Sequence, residues 1–145
     1  MTDFDIIHEL NEEQIAALHQ LFLNEWWSSS RSLQEVKMVL AHSFSFGFVE
    51  KQTALLIAYA RVITDYSQFA LICDVVVAKA FRNKSLGMCL MREITSHHKL
   101  ADVAKFELRC LPELVPFYTK CGFLTSEQEL ITMTRGKYDR IRCTA

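Results

Sequence analysis

The chain has 145 residues, half of them apolar, and its 16 lysines and arginines against 17 aspartates and glutamates leave a formal charge of −1. That length suits one domain burying about 70% of its unfolded surface, and the apolar share with only four glycines excludes a disordered chain. The balanced charge argues against general binding of nucleic acid or of a membrane surface, since both want a basic excess.

Phe4 to Leu10 has the β-branched and aromatic character of a short first strand. Asn11 sits where an N-cap would, Glu12 and Glu13 fall in the first turn, and Gln14 completes a capping box. Ile15, Leu18, Leu21 and Phe22 recur at helical spacing, predicting a helix to about Asn24. Trp26 and Trp27 follow at its end. Neighbours on a helix end cannot both face the core, so one packs and the other lines a cleft or the surface. After the polar linker Ser28–Arg31, Ser32 and Glu35 form a second capping box, and Leu33, Val36, Val39 and Leu40 mark a second amphipathic helix.

Phe44, Phe46 and Phe48 alternate with Ser43, Ser45 and Gly47, which predicts a strand to Glu50 with one buried face. Lys51-Gln52-Thr53 is a polar turn, and Ala54–Thr64 returns as the second arm of a hairpin. Asp65–Gln68 is the next turn. Phe69–Ala78 is almost continuously apolar, as in a central strand covered on both faces. Then come a basic, polar loop and a helical pattern from Leu86 to His98. Lys105–Leu111 alternates and, after a strand–helix crossover, should pair parallel to the fourth strand. Pro112 breaks it, Pro116 suits the first turn of a short last helix, and Gly122 suits its end. Glu127–Met133 reads as a sixth strand, a seventh follows Arg135-Gly136, and Arg140–Ala145 should fray.

The segment Asp74–Gly87 therefore reads as strand, loop, helix. A helix N-terminus carries free N–H groups and about half a positive charge, which favours an anion such as phosphate, and Arg82 and Lys84 add two full charges beside it. The competing reading is an ordinary connection with surface basic residues. Asp74 interrupts an apolar strand, so it must be paired with an arginine such as Arg61, bonded to backbone amides, or cleft-facing.

The five cysteines, Cys73, Cys89, Cys110, Cys121 and Cys143, are odd in number and form no Cys-x-x-Cys pair. They read as reduced thiols of a cytoplasmic protein rather than as metal ligands, and none has a histidine partner at a motif spacing. His97, His98 and Lys99 end a helix, where cations suit its dipole, and His8, His19 and His42 are isolated. Met1–Asp5 carries no positive region ahead of an apolar run, so no signal peptide is expected, and no apolar run is long enough for a bilayer span.

Arg82-Asn83-Lys84-Ser85-Leu86-Gly87 resembles the Arg/Gln-x-x-Gly-x-Gly/Ala pyrophosphate loop of the GNAT acyl-CoA N-acyltransferase superfamily. Phe117-Tyr118-Thr119-Lys120-Cys121-Gly122-Phe123 resembles that family's Tyr-x-x-x-Gly-Phe signature, and Ala60–Asp65 followed by Cys73–Val77 is similar to small single-domain members. The resemblance runs from about Trp26 to Phe123 and departs at Ser85, where the family has glycine. Serine restricts φ and brings a hydroxyl that can donate to a phosphate oxygen.

The resemblance implies one domain over residues 1–145 with an α/β (α+β) GNAT fold. It implies a mixed central sheet of about seven strands with about four helices, splayed between the fourth and fifth strands. It implies acetyl-CoA as co-substrate without a metal, transferring acetyl to a primary amine by direct attack in a ternary complex. Val75, Val76 and Val77 would hold the pantetheine arm and thioester, and Arg82, Asn83, Lys84, Ser85, Leu86, Gly87 and Met88 the pyrophosphate. Tyr118 would protonate the departing thiolate and Asp74 would accept a proton from the amine. Trp26, Trp27, Tyr66 and Phe69 would touch the acceptor, a small molecule or peptide, with neither nucleic acid nor membrane as partner and a monomer or homodimer as the working form. The alternative is a non-catalytic CoA-binding or interaction module on the same fold.

Overall fold

The structure is a computed structural model and describes residues 2–126 and 130–136. Its elements are β1 (Phe4–Ile7), α1 (Glu12–Leu23), α2 (Leu33–Ala41), β2 (Phe44–Glu50), β3 (Leu56–Thr64), β4 (Ala70–Val77), α3 (Leu86–Ser96), β5 (Phe106–Glu107) and α4 (Val115–Lys120). Both predicted capping boxes form: the Asn11 and Ser32 side chains accept from the Gln14 and Glu35 amides, and those side chains accept in return from the cap amides.

The sheet runs in the order β1-β2-β3-β4-β5, antiparallel throughout except for the parallel β4–β5 pair. Side-chain alternation gives it two buried faces. Leu18 and Phe22 of α1 and Val36 of α2 pack with Val49, Tyr59 and Val76 on one side. Leu86, Leu90, Met91 and Ile94 of α3 and Tyr118 of α4 pack with Phe46, Phe48, Ala58, Ala60 and Val62 on the other. Gly87 lets α4 approach α3, for a Cβ there would stand 3.2 Å from the Phe117 ring.

Five strands form among the described residues, not about seven. Leu130, Ile131 and Met133 are 83%, 87% and 90% exposed and belong to no strand. The rest of the expected sixth strand (127–129), the chain after Gly136 that was to hold the seventh, and Cys143 lie outside the described residues. The fifth strand is also shorter than its alternating pattern, two residues instead of seven. The reason lies in β4. Tyr59 pairs with Val76 but Arg61 pairs with Cys73, so Asp74 and Val75 together face Ala60, and Asp74 takes a left-handed φ of 56°. Such a bulge bends and twists its strand. Only Ala70 and Leu71 pair with β5, at Phe106 and Glu107, and beyond them the two strands part.

Candidate active site

Where β4 and the chain after β5 diverge, a cleft of about 810 Å³ opens. Leu71–Val77 form one wall and Leu108–Leu111 with Leu114 the other. Glu25, Trp26, Trp27 and Arg31, from the loop after α1, close one end, Arg82 stands at the C-terminal end of β4, and Tyr118 reaches in from α4.

The β4 edge offers polar groups to this cleft. The Ala78 N–H donates to Ile57 O at 2.8 Å, so that residue faces β3, while Arg82 Nε donates to Val77 O at 3.0 Å from the other side. Alternate residues of an extended strand present their N–H and C=O to opposite edges. The main-chain groups of Val77 and Val75 thus face the cleft, and those of Val76 face β3.

Asp74, only 6% exposed at its side chain, accepts two bonds from Arg31 (Nη1 at 2.7 Å, Nη2 at 3.0 Å) and one from Arg61 Nε at 2.5 Å. Arg61 also donates to Ser43 Oγ at 3.1 Å. Burial alone would push the Asp74 carboxyl up, but the bonds and charges of Arg31 and Arg61 outweigh it and hold the group below the usual carboxylate range. Of the readings open at this position, the arginine-paired one is realised. As a proton acceptor Asp74 is badly placed, because charged donors already occupy its oxygens. Arg31 is set by its own surroundings: its guanidinium lies 4.8 Å from the Phe22 ring centroid and 5.7 Å from that of Trp27, and its carbonyl accepts from His19 Nε2 at 2.8 Å.

Tyr118 is 9% exposed, and its hydroxyl makes no hydrogen bond among the described residues. Burial, with Cys110 and Cys121 nearby, pushes its pKa up to about 12. It stays a neutral phenol through the physiological range. Trp26, 72% exposed, lines the cleft, and Trp27 packs edge-on against Phe22 at 5.9 Å, the division expected of adjacent tryptophans.

The phosphate-loop residues are arranged less simply. Arg82 is tied to Val77 O and to Glu25 Oε1 at 2.8 Å and is the one loop residue that lines the cleft. Lys84 and Ser85 line a separate recess with Thr2, Asp3, Glu50 and Gln52. Leu86 is buried and Met88 lies against Cys121, with their sulfurs 3.5 Å apart. Asn83 and Ser85 both adopt left-handed backbone, at φ 63° and 61°. Ser85 is the N-cap of α3 but its hydroxyl makes no capping bond, so the first-turn N–H groups of α3 are left uncapped by it.

Tyr66 and Phe69 are not in the cleft. They belong to the β3–β4 turn, where Asp65 Oδ1 accepts from the amides of Ser67, Gln68 and Phe69 at 2.9, 2.8 and 3.1 Å, and Tyr66 lies near Phe44. Sequence reasoning also missed Arg31, Arg109, Glu25 and His19. Arg31 had a legible signal, being the one cation in the linker between two capped helices. Among the described residues no group of three or more His, Cys, Asp or Glu could hold a metal ion, and no helix is long and apolar enough to cross a membrane.

The family model for the acetyltransferase (GNAT) domain matches residues 6–133. An uncharacterised N-acetyltransferase of Gracilaria tenuistipitata is 34% identical over 98 residues, which cover 66% of this chain and 54% of that one. The glucosamine 6-phosphate N-acetyltransferase of Candida albicans is 29% identical over 125 residues, covering 86% and 78%. A solved structure from Xanthomonas campestris, described as belonging to the GNAT family, superposes with a TM-score of 0.80 at 25% identity, over 93% of this chain and 95% of that one. The chain spans about half the length of the Gracilaria relative. With the splayed β4–β5 pair and the uncapped α3 terminus at one end of it, these likenesses place the chain in the acetyltransferase (GNAT) family.

Proposed function

We propose that residues 1–145 form one catalytic domain that transfers an acetyl group from acetyl-CoA to a primary amine, by direct attack in a ternary complex. The observation that carries this reading is the parting of β4 from β5 after Leu71, which leaves the cleft-facing main chain of Val75 and Val77 without a strand partner. The residues fit the cofactor: a long groove with a polar strand edge, Arg82 beside it, and the uncapped first turn of α3 beyond.

Acetyl-CoA, when bound, supplies a thioester carbonyl that an amine can attack. Main-chain N–H groups at the start of α3, that of Ser85 in the loop among them, would hold the pyrophosphate, with the Lys84 charge alongside. The Val75 N–H donates to the carbonyl oxygen as negative charge develops on it. Tyr118 holds its proton until thiolate departs, gives it to the sulfur, and takes back the proton that the attacking nitrogen sheds as the amide forms; a phenol raised to about 12 keeps that proton between turnovers at every working pH. Asp74 acts as a positioning residue, locking Arg31 and Arg61 and with them the bulge that aims Val75. Trp26 forms an acceptor wall. Tyr66 and Phe69 are left out of the site.

Calorimetry with acetyl-CoA, followed by turnover across an amine panel, tests this. Heat with acetyl-CoA and thiol release with an amine support it. Heat without turnover by any amine favours the binding-module reading, and no heat with any CoA derivative ends both.

A further inference from the structure

The charges on the cleft do not cancel. Its two carboxylates are spent: Glu25 on Arg82, and Asp74 on Arg31 and Arg61 together. One guanidinium charge is therefore in excess at Asp74, where Arg31 lines the cleft. Arg109 adds another from the opposite wall. It is exposed and has no carboxylate partner among the described residues. The parallel register pairs Leu71 with Glu107, so Cys73 and Arg109, each two residues further on and both lining the cleft, stand at about the same level along it.

This positive end is not the phosphate end. Arg82 and the α3 terminus stand beyond Val77, and Cys73 lies four residues earlier on β4, opposite three steps of β3 because of the bulge, about 10 Å along the strand. Cations there have no pyrophosphate within reach. A cleft with apolar walls focuses such a field and favours an opposite charge on what enters. It also lowers the pKa of an amine held beside it, and so favours the neutral form that attacks, with no basic side chain needed.

Resting on the acetyltransfer reading, we infer that the acceptor is an amine that carries its own anionic group, a phosphate or a carboxylate, which Arg109 receives with the field of Arg31, whose side chain is 23% exposed on the cleft, beside it. Amines with further positive charge, polyamines among them, are excluded by the same field.

The test uses matched pairs: glucosamine 6-phosphate against glucosamine, glycine against glycinamide, and spermidine as the polycation. The anionic member of one pair should exceed its partner in kcat/KM by about tenfold or more, the size of a charge-assisted contact, and the pair that responds tells phosphate from carboxylate. Arg109→Gln should bring that ratio towards one, and Arg109→Lys should restore most of it. Equal rates within both pairs, spermidine as the best acceptor, or a ratio untouched by Arg109→Gln would each overturn the inference. Thermal stabilisation by the same amines, without acetyl-CoA, separates it from the reading beneath it. Should acetyl-CoA fail to bind, stabilisation by an anionic amine over its uncharged partner, lost in Arg109→Gln, still supports the anion site, and no such difference removes it.

Discussion

Arg31 and Asp74 are separated by 43 residues in the chain and joined by two parallel hydrogen bonds of 2.7 and 3.0 Å. One partner belongs to the linker between α1 and α2, the other to a bulge in the central strand. Arg61, on the neighbouring strand, bonds the same carboxylate. The three side chains thus fasten the helical layer to the point where β4 turns away from β5. A bulge residue at positive φ is strained backbone, and a side chain fixed by three charged bonds is what holds it. The cleft exists because the strand bends there.

Removing that charge should destabilise the fold. Asp74→Asn keeps the shape but leaves two half-buried guanidiniums facing a neutral amide, and unpairing charge so placed costs about 2–4 kcal/mol. The dependence on pH gives a sharper reading. Asp74 titrates below its unfolded value, so its contribution is present above about pH 4 and lost as pH falls through the lower folded value. In urea titrations from pH 7 to pH 3, wild-type stability should converge on that of Asp74→Asn as the solution becomes acid. Parallel curves across the whole range would detach the carboxylate from the stability of the bulge.

Ser85→Gly should stabilise the protein and leave acetyl-CoA affinity equal or tighter. Left-handed backbone costs a non-glycine residue about 1–2 kcal/mol, and glycine returns about 0.5–1 kcal/mol of that as extra unfolded-state entropy. Since φ is 61° and the hydroxyl makes no capping bond, the net gain should be about 0.5–1 kcal/mol, read as a rise of roughly 1–4 °C in Tm. A large loss of acetyl-CoA affinity, by calorimetry, would make the hydroxyl a required ligand.

Much of this arrangement is legible in the sequence, and what is not has a physical cause. Asn11 with Gln14 and Ser32 with Glu35 announce both helix starts, because caps are local chemistry. The almost continuous apolar run of β4 marks a strand covered on both faces, and the crossover fixes its parallel neighbour. Arg31 pairing with Asp74 is not local, and no spacing rule reaches across 43 residues. The bulge hides because its positive φ falls on aspartate, where no glycine flags it. Tyr66 and Phe69 misled because aromatic residues in a turn look the same at either end of a strand, and only the fold tells which end the cleft occupies.

Tyr118→Phe joins chemistry and stability in one variant. It should lower kcat about 10²-fold while acetyl-CoA still binds, since the hydroxyl serves the departing thiolate and makes no hydrogen bond among the described residues. For the same reason its Tm at pH 7 should not fall. At high pH the variant should be the more stable protein's equal or better. Tyr118 and Tyr59 each titrate at about 12 when folded against about 10 unfolded, so each contributes stability present below pH 10 and lost as pH climbs towards 12. Two pKa units correspond to about 2–3 kcal/mol per tyrosine. Chemical denaturation between pH 8 and pH 12 should show wild type losing roughly the sum of both contributions and Tyr118→Phe only that of Tyr59. An alkaline loss of the same size in both proteins would mean that the Tyr118 phenol ionises as freely folded as unfolded, and with it the case for a proton held ready in the cleft would fail.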